Sequence, residues 1–325
     1  MPDSRLHAVP AATTPVRERI LVIRLGGLRG IVQALGAMKA IRDHHAGAHV
    51  TLLTTAPYAD FLRAADVADA VCCDPLPLLR PSAWRILLRR LHGGEFDRVY
   101  DLQCSLRSSL YFGLLPLPRP DWSGRAWGCS RPYAAPPGRG PLHPVDRLTE
   151  QLRQAGIPVV APADLSFAGD GIGRFALPPR FALLAPGGRR QKGVYAFWPT
   201  DHYATLARGL LADGILPLLL GDARDAALTM RIAAQAPGSL DLAGQTSLAD
   251  LAALARRAAF AVGNDNGALH LLAAAGAPTL ALFSAAADPG LAAPRGRLVR
   301  ILRATALQVV PVEEVLSALA QVERA

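Results

Sequence analysis

One rhythm constrains this chain more than any other feature. From Arg19 to the C-terminus, short apolar runs alternate with longer amphipathic stretches. Strand, crossover helix and parallel strand in turn produce that order, and it demands a sheet whose two faces are both covered by helices. Residues 19–25 (RILVIRL) read as a buried strand, followed by Gly26-Gly27 and a helix over 31–42. Strands are expected at 50–54, 69–73 and 97–102, with helices at 59–65, near 84–91 and at 105–114. Residues 116–144, rich in Pro, Gly and Arg, read as one long loop. Helical spacing returns over 145–155, and 158–179 looks like a connection between domains.

The second half repeats the pattern. A strand at 181–185 runs into Pro186-Gly187-Gly188, and Thr200 is expected to cap a helix through 211. Strands at 215–220, 240–243 and 258–262 alternate with a helix at 223–234 and one capped by Ser247. A helix at 267–275 leads to the last clear strand, 279–283, and 312–322 closes the chain as an amphipathic helix. The halves share a rhythm without a sequence repeat. The rhythm fits an α/β fold of two Rossmann-like domains with parallel sheets facing a central cleft. The expected divisions are a disordered lead (1–17), an N-terminal domain (18–165), a C-terminal domain (166–310) and a terminal helix (311–325).

Length and composition agree. The chain has 325 residues, 51% hydrophobic and 19% charged, enough for two domains and too apolar for disorder. No run reaches the roughly 20 apolar residues of a membrane span, and the first residues do not read as a secretory signal. Cys72, Cys73, Cys104 and Cys129 have neither disulfide-framework nor zinc-ribbon spacing and read as small core residues of a reducing cytoplasm. The net charge is +9, and the first 150 residues hold 19 Lys/Arg against 13 Asp/Glu. Such a field favours anionic partners. Neither a nucleic-acid module nor aromatics interleaved with the basic residues occur, so nucleic acid is not expected.

The strongest chemical motif is Gly263-Asn264-Asp265-Asn266-Gly267-Ala268-Leu269-His270, between a buried strand and an Ala-rich helix. Glycine at a helix start lets backbone N–H groups approach an anion, and the helix end adds positive partial charge. His270 falls one turn in, able to reach a phosphate oxygen. An Asx cap with a satisfied core histidine is the plainer alternative, but ligands of open α/β sheets bind beyond the carboxyl ends of strands. Asp101 at a strand end reads as a cap more than a base, and Arg107 nearby could face the cleft. His44 and His45 are expected in solvent, Trp198-Pro199 as packing, and Asp222 with Arg224 as a solvated surface. Metal-ligand spacing, a nucleophile elbow and a P-loop do not occur.

Residues 240–284, 19–42, 96–108 (FDRVYDLQCSLRS) and 143–148 together resemble the glycosyltransferase family 9 heptosyltransferases. The family's hallmark is Asp-(Thr/Ser)-Gly-x-x-His after a strand. The resemblance implies a GT-B fold, with an N-terminal acceptor domain and a C-terminal ADP-heptose domain. It implies inverting, metal-independent transfer of heptose onto lipopolysaccharide inner core, with the nucleotide-sugar as substrate and no cofactor. The acceptor would be an anionic glycolipid at the inner membrane face, and the protein cytoplasmic or peripheral there. By position, Asp265, Asn266, Gly267, Ala268 and His270 would hold the donor diphosphate, with Asn266 where the family has Thr or Ser. Gly244 and Thr246 would lie near base and ribose, with Asp225 near the ribose.

Two positions depart from the family. Its first loop carries an Asp taken as the base that deprotonates the acceptor hydroxyl; here Gly30 occupies that position, and Arg29 precedes it as a possible acceptor contact. The family's Lys before Trp-Pro is here Ala196, leaving Lys192, Arg189 or Arg190 as substitutes. Three readings therefore stand: heptose transfer, binding of a nucleotide-sugar or glycan without transfer, and transfer with a changed sugar, acceptor or base such as Asp101.

Overall fold

The computed structural model describes residues 17–75, 81–138, 140–188 and 197–323. The expected lead, with Arg189, Arg190, Lys192 and Ala196, lies outside the described residues, apart from Arg17 at the lead's end. The first lobe runs β1 (Arg19–Ile23), α1 (Leu28–His44), β2 (His49–Thr55), α2 (Ala59–Ala64), β3 (Ala70–Asp74) and α3 (Pro81–Gly93). It continues with β4 (Arg98–Asp101), α4 (Leu106–Leu114), β5 (Asp121–Gly124), β6 (Arg131–Pro132) and α5 (Pro144–Gln154). The second runs β7 (Phe181–Ala185), α6 (Thr200–Ala212), β8 (Leu216–Leu219), α7 (Ala226–Gln235), β9 (Leu240–Asp241) and α8 (Leu248–Arg257). It ends with β10 (Phe260–Asn264), α9 (Gly267–Ala274), β11 (Thr279–Ser284), α10 (Pro289–Ala292), β12 (Val299–Ala304) and α11 (Val312–Glu323).

Each lobe is a six-stranded sheet, in the orders β3-β2-β1-β4-β5-β6 and β12-β11-β10-β7-β8-β9. The pairings are parallel throughout, with Ile20 opposite Val50 and Arg98, and Ala261 opposite Leu183 and Thr279. Both sheets therefore reverse direction beside a central strand, β1 or β7. In such folds the crevice outside that reversal is where ligands lodge. Parallel strands buried on both faces read as continuous apolar runs, which is why RILVI and FALLA were legible.

One core surrounds β1 and β2, runs under α1 and α5, and continues into α8 and α9 of the second lobe. The two lobes thus share apolar packing beside the cleft. The connection between them is stitched to both. Phe167 stacks on Phe61, and Arg256 of α8 donates to the Leu165 and Ala168 carbonyls. The C-terminal helix, α11, buries Val312, Val315, Leu319 and Val322 against the outer face of the second sheet.

Several expectations change. Residues 116–144 are not one loop but contain β5 and β6; their short, Pro- and Gly-bounded strands lack a readable run. β12 follows the strand expected to be last; as an edge strand it keeps arginines on exposed positions and does not read as apolar. Thr200 is the first helical residue and Pro199 the cap, without a side-chain cap bond. α1 begins at Leu28, so Arg29 and Gly30 sit in its first turn rather than in a loop. His45 is buried, bonded to Glu18 at 2.9 Å and to the Tyr100 hydroxyl at 2.9 Å. Ser247 does cap α8, in a reciprocal box with Asp250.

Candidate functional site

The second lobe's contribution is built around two asparagines. Asn264, the last residue of β10, is fully buried. Its Oδ1 accepts from the Trp198 amide at 3.0 Å and its Nδ2 donates to the Pro186 carbonyl at 2.7 Å, fixing both flanks of the segment after β7. Asn266 caps α9: its Oδ1 accepts from the Leu269 amide at 2.9 Å. Its Nδ2 donates to the carbonyls of Ala185 (3.0 Å) and Gly187 (2.9 Å). A Ser or Thr hydroxyl could cap the helix but could not also hold two carbonyls, because it has one proton to give. The amide therefore welds the β7 loop to the start of α9.

The start of α9 points at the first lobe, where the start of α1 meets it. A Cβ on Gly267 would lie 3.0 Å from Leu28 Cβ and 3.2 Å from the Arg29 amide nitrogen, so any larger residue would push the two helix starts apart by a few tenths of an ångström. Arg29 reaches across and hydrogen-bonds Asp265. His270 Nε2 lies 3.7 Å from the same Asp265 oxygen, beyond hydrogen-bond reach. That buried ring nitrogen has no hydrogen-bond partner among the described residues. Burial alone would raise the Asp265 carboxyl, yet His270 and Arg29 hold it below its ordinary value. Burial, helped by Arg29, pushes His270 down, so the ring is neutral near pH 7. A second buried histidine, His143, caps α5 and bonds the Ala293 carbonyl of the other lobe at 3.0 Å. Burial lowers it too.

Gly30 lies beside a buried cation. Arg24 follows the end of β1; its Nε donates to the Gly30 carbonyl at 2.9 Å and its Nη1 to the Leu102 carbonyl at 2.8 Å. Burial, with Arg147 nearby, pulls this guanidinium down to about 10. A Cβ on Gly30 would lie 2.7 Å from Arg24 Nη2. The space that a side chain at position 30 would fill is therefore held by Arg24.

Asp101 is wholly buried at the end of β4. Its Oδ1 accepts from the Gln103 and Cys104 amides at 3.1 and 2.9 Å, an Asx turn that leads to the Ser105 cap of α4. Oδ2 has no partner among the described residues and faces Gly124. Burial pushes this carboxyl up to about 6.

The remaining candidates are scattered around the same cleft end. Arg107 is committed to Asp74 and the Tyr111 hydroxyl. Asp225 lies under Gly187 and Gly221, where a Cβ at either glycine would come within 2.6 Å of its side chain. Gly244 is exposed with φ 71°, and Thr246 is half-buried in the same turn before α8. Ala268 is half-buried in the first turn of α9. Among the described residues, no group of three or more His, Cys, Asp and Glu side chains could hold a metal ion. Sequence reasoning gave no role to Arg24, or to Asn264 within the motif it singled out. Their signal was there: a charged residue within an apolar strand run and an amide at a strand end.

The comparisons agree with this architecture. The model of glycosyltransferase family 9 (heptosyltransferase) matches residues 84–320. The chain belongs to that family. Its sequence is 35% identical over 91 residues to lipooligosaccharide heptosyltransferase 2 of Haemophilus influenzae. That alignment spans 26% of this chain and 26% of the relative, so it covers only a quarter of the relative's length. The fold matches that of Escherichia coli ADP-heptose lipopolysaccharide heptosyltransferase II with a TM-score of 0.75 at 21% identity, over 94% of this chain and 98% of that one. The family 9 glycosyltransferase of Veillonella parvula superposes with a TM-score of 0.82 at 17% identity, over 94% and 97%. This family 9 chain therefore has the two-domain GT-B fold.

Proposed function

We propose that this family 9 chain is an inverting glycosyltransferase that moves a heptose from ADP-heptose to an anionic acceptor of the lipopolysaccharide-core type. One observation carries the reading: Arg29 of the first lobe meets Asp265 beside His270, at the start of α9. Leu28 and Arg29 close the start of α9 in this structure, so a donor diphosphate would enter as the lobes part. It would then take over Arg29 from Asp265, and the α9 amides and dipole would add positive potential. As the sugar–phosphate bond breaks, these fixed charges would stabilise the departing diphosphate without a metal or a cofactor. Asp225, under Gly187 and Gly221, would serve the ribose hydroxyls, with Gly244 and Thr246 nearer the base. Arg189 and Lys192 complete the proposed donor set.

The acceptor would enter from the basic first lobe, near Arg29, and attack the anomeric carbon opposite the diphosphate. The protein would work on the cytoplasmic side, peripheral to the inner membrane, with a membrane-borne glycolipid as partner. No helix among the described residues is long and apolar enough to cross a membrane.

A second reading, binding without transfer, is favoured by a specific observation: the family's base position is Gly30, covered by the Arg24 guanidinium. Asp101 titrates in a useful range but is wholly enclosed, so an acceptor hydroxyl could reach it only if the turn at Gln103 and Cys104 opened. Transfer from ADP-heptose to a truncated core acceptor separates the readings. Turnover by the natural chain that Asp101→Asn abolishes makes Asp101 the base; Asn keeps the oxygen that the Gln103 and Cys104 amides need. Activity only in Gly30→Asp supports binding alone. Equal affinity for ADP, GDP and UDP would overturn the donor assignment.

A further inference from the structure

We infer that the outer face of the first lobe, formed by α3, α4 and the loops after α4 and β5, docks on a bilayer carrying anionic lipids. Leu106, Leu110 and Leu114 recur every four residues along α4, which places them on one side of the helix. They are 90%, 55% and 42% exposed, and Leu117, just beyond the helix, is 78% exposed. Trp127, in the loop after β5, is 96% exposed, and Ile86 of α3 is exposed as well. Scattered exposed apolar residues are ordinary, but a grouped set on one face marks an interaction surface. Other exposed large apolar residues, Val159, Met230, Ile301 and Val309, are dispersed over the rest of the chain.

These residues share one side of the sheet. α3 and α4 lie together, with the Trp84 and Tyr111 rings 5.9 Å apart and His92 Nε2 2.6 Å from the Leu114 carbonyl oxygen. Ala126 and Cys129, flanking Trp127, pack into the same core as Phe112 of α4.

The charge around the face chooses the partner. Arg85, Arg89 and Arg90 are exposed on α3 and pair with no carboxylate among the described residues. Arg119, over the Phe112 ring at 4.9 Å, and exposed Arg125 extend the rim. Neither α3 nor α4 contains an Asp or Glu. A second copy of this face would set arginines against arginines, whereas anionic headgroups complement them while Leu and Trp enter the headgroup boundary. α4 begins just after the carboxyl end of β4, so docking would hold the cleft mouth at the membrane surface. The inference deepens the reading of a membrane-borne acceptor and rests on that reading for its purpose, but vesicle binding can be measured without any transfer.

Flotation of the full chain with vesicles of phosphatidylethanolamine and phosphatidylglycerol, against phosphatidylcholine alone, tests the face. Binding should require the anionic lipid and weaken with salt. The triple variant Arg85→Gln, Arg89→Gln, Arg90→Gln should lose on the order of a hundredfold in affinity. Leu110→Ser with Trp127→Ser should lose about tenfold or more while keeping the salt dependence. Unchanged ADP affinity in each variant shows that the fold and donor loop are intact. Equal binding to both vesicle types, variants that bind like the natural chain, or a dimer that Trp127→Ser dissociates would each overturn the inference. A chain that binds vesicles but transfers nothing sinks the transfer reading and leaves this one standing.

Discussion

The two lobes share a strand order and differ at the helix starts that face each other across the cleft. α9 is satisfied within its own lobe: Asn266 caps it and ties it to the β7 loop. α1 starts on Gly27 with no side-chain cap and carries Arg29 in its first turn. A cation there opposes the helix dipole. Behind it Arg24 is buried and bonded to two carbonyls. The second lobe thus fixes its helix start with its own side chains, and the first presents positive charge that a carboxylate must answer. Asp265 answers it here. A lobe whose polar groups close locally keeps its helix start fixed, whereas the other can change its charge with a single residue.

The largest expected effect comes from changing that single residue. Gly30→Asp would push aside Arg24 Nη2, which lies 2.7 Å from the new Cβ, and set a carboxylate beside the guanidinium, giving the buried cation a charged partner and the cleft a proton acceptor. If a missing base limits the natural chain, transfer should rise by roughly 10²–10⁴, read as kcat/KM with ADP-heptose. An unchanged rate would show that the contrast between the lobes lies in binding alone.

Breaking the second lobe's local closure comes next. Asn266→Ala removes the α9 cap and both carbonyl bonds, and should cost about 2 kcal/mol in urea unfolding. Asn266→Ser should recover only the cap, about 1 kcal/mol. Full recovery by Ser would mean that the bonds to Ala185 and Gly187 add nothing.

The same contrast explains what could be read beforehand. The turn into α9 was legible because one continuous segment, 263–270, supplies strand end, carboxylate, cap, glycine and histidine. Both sheets were legible because their central strands are unbroken apolar runs. β5 and β12 were not: the first is four residues closed by glycine, and the second sets two arginines among aliphatic residues at an edge. Arg24 escaped notice because its role depends on Gly30 and Leu102, one six and the other 78 residues away. Nor does spacing reveal that Arg29 meets Asp265, 236 residues on. Local pattern specifies elements and caps; pairings between lobes depend on docking that no window of sequence contains.

Acid probes the histidines on the interface. Burial depresses His143 and His270 below 6.5. The unfolded chain therefore binds protons first as pH falls, and stability is full above about 6.5 and lost below it. Each histidine should contribute a slope of about 1 kcal/mol per pH unit just below that point. Burial depresses His45 as well and raises the Asp101 carboxyl to about 6, which slopes the opposite way. Urea unfolding at stepped pH in an Asp101→Asn background should therefore show the histidine slope, and His143→Asn should remove about a third of it. A flat profile would mean that the rings find new partners when charged.

The smallest expected effect is the contact that joins the lobes. The Arg29 and Asp265 side chains are 35% and 18% exposed, so solvent screens their attraction and the coupling should be no more than about 1 kcal/mol. A double-mutant cycle of Arg29→Gln and Asp265→Asn on unfolding stability measures it. Because the folded Asp265 carboxyl is depressed, that coupling should persist above about pH 4 and disappear as pH falls through its folded value. The two variants should diverge in nucleotide binding. Arg29→Gln should weaken ADP, whereas Asp265→Asn, by releasing Arg29, should leave ADP affinity unchanged or tighten it. If both weaken ADP equally, Asp265 itself is needed by the ligand, and the first lobe's charge is not held in reserve for an anion.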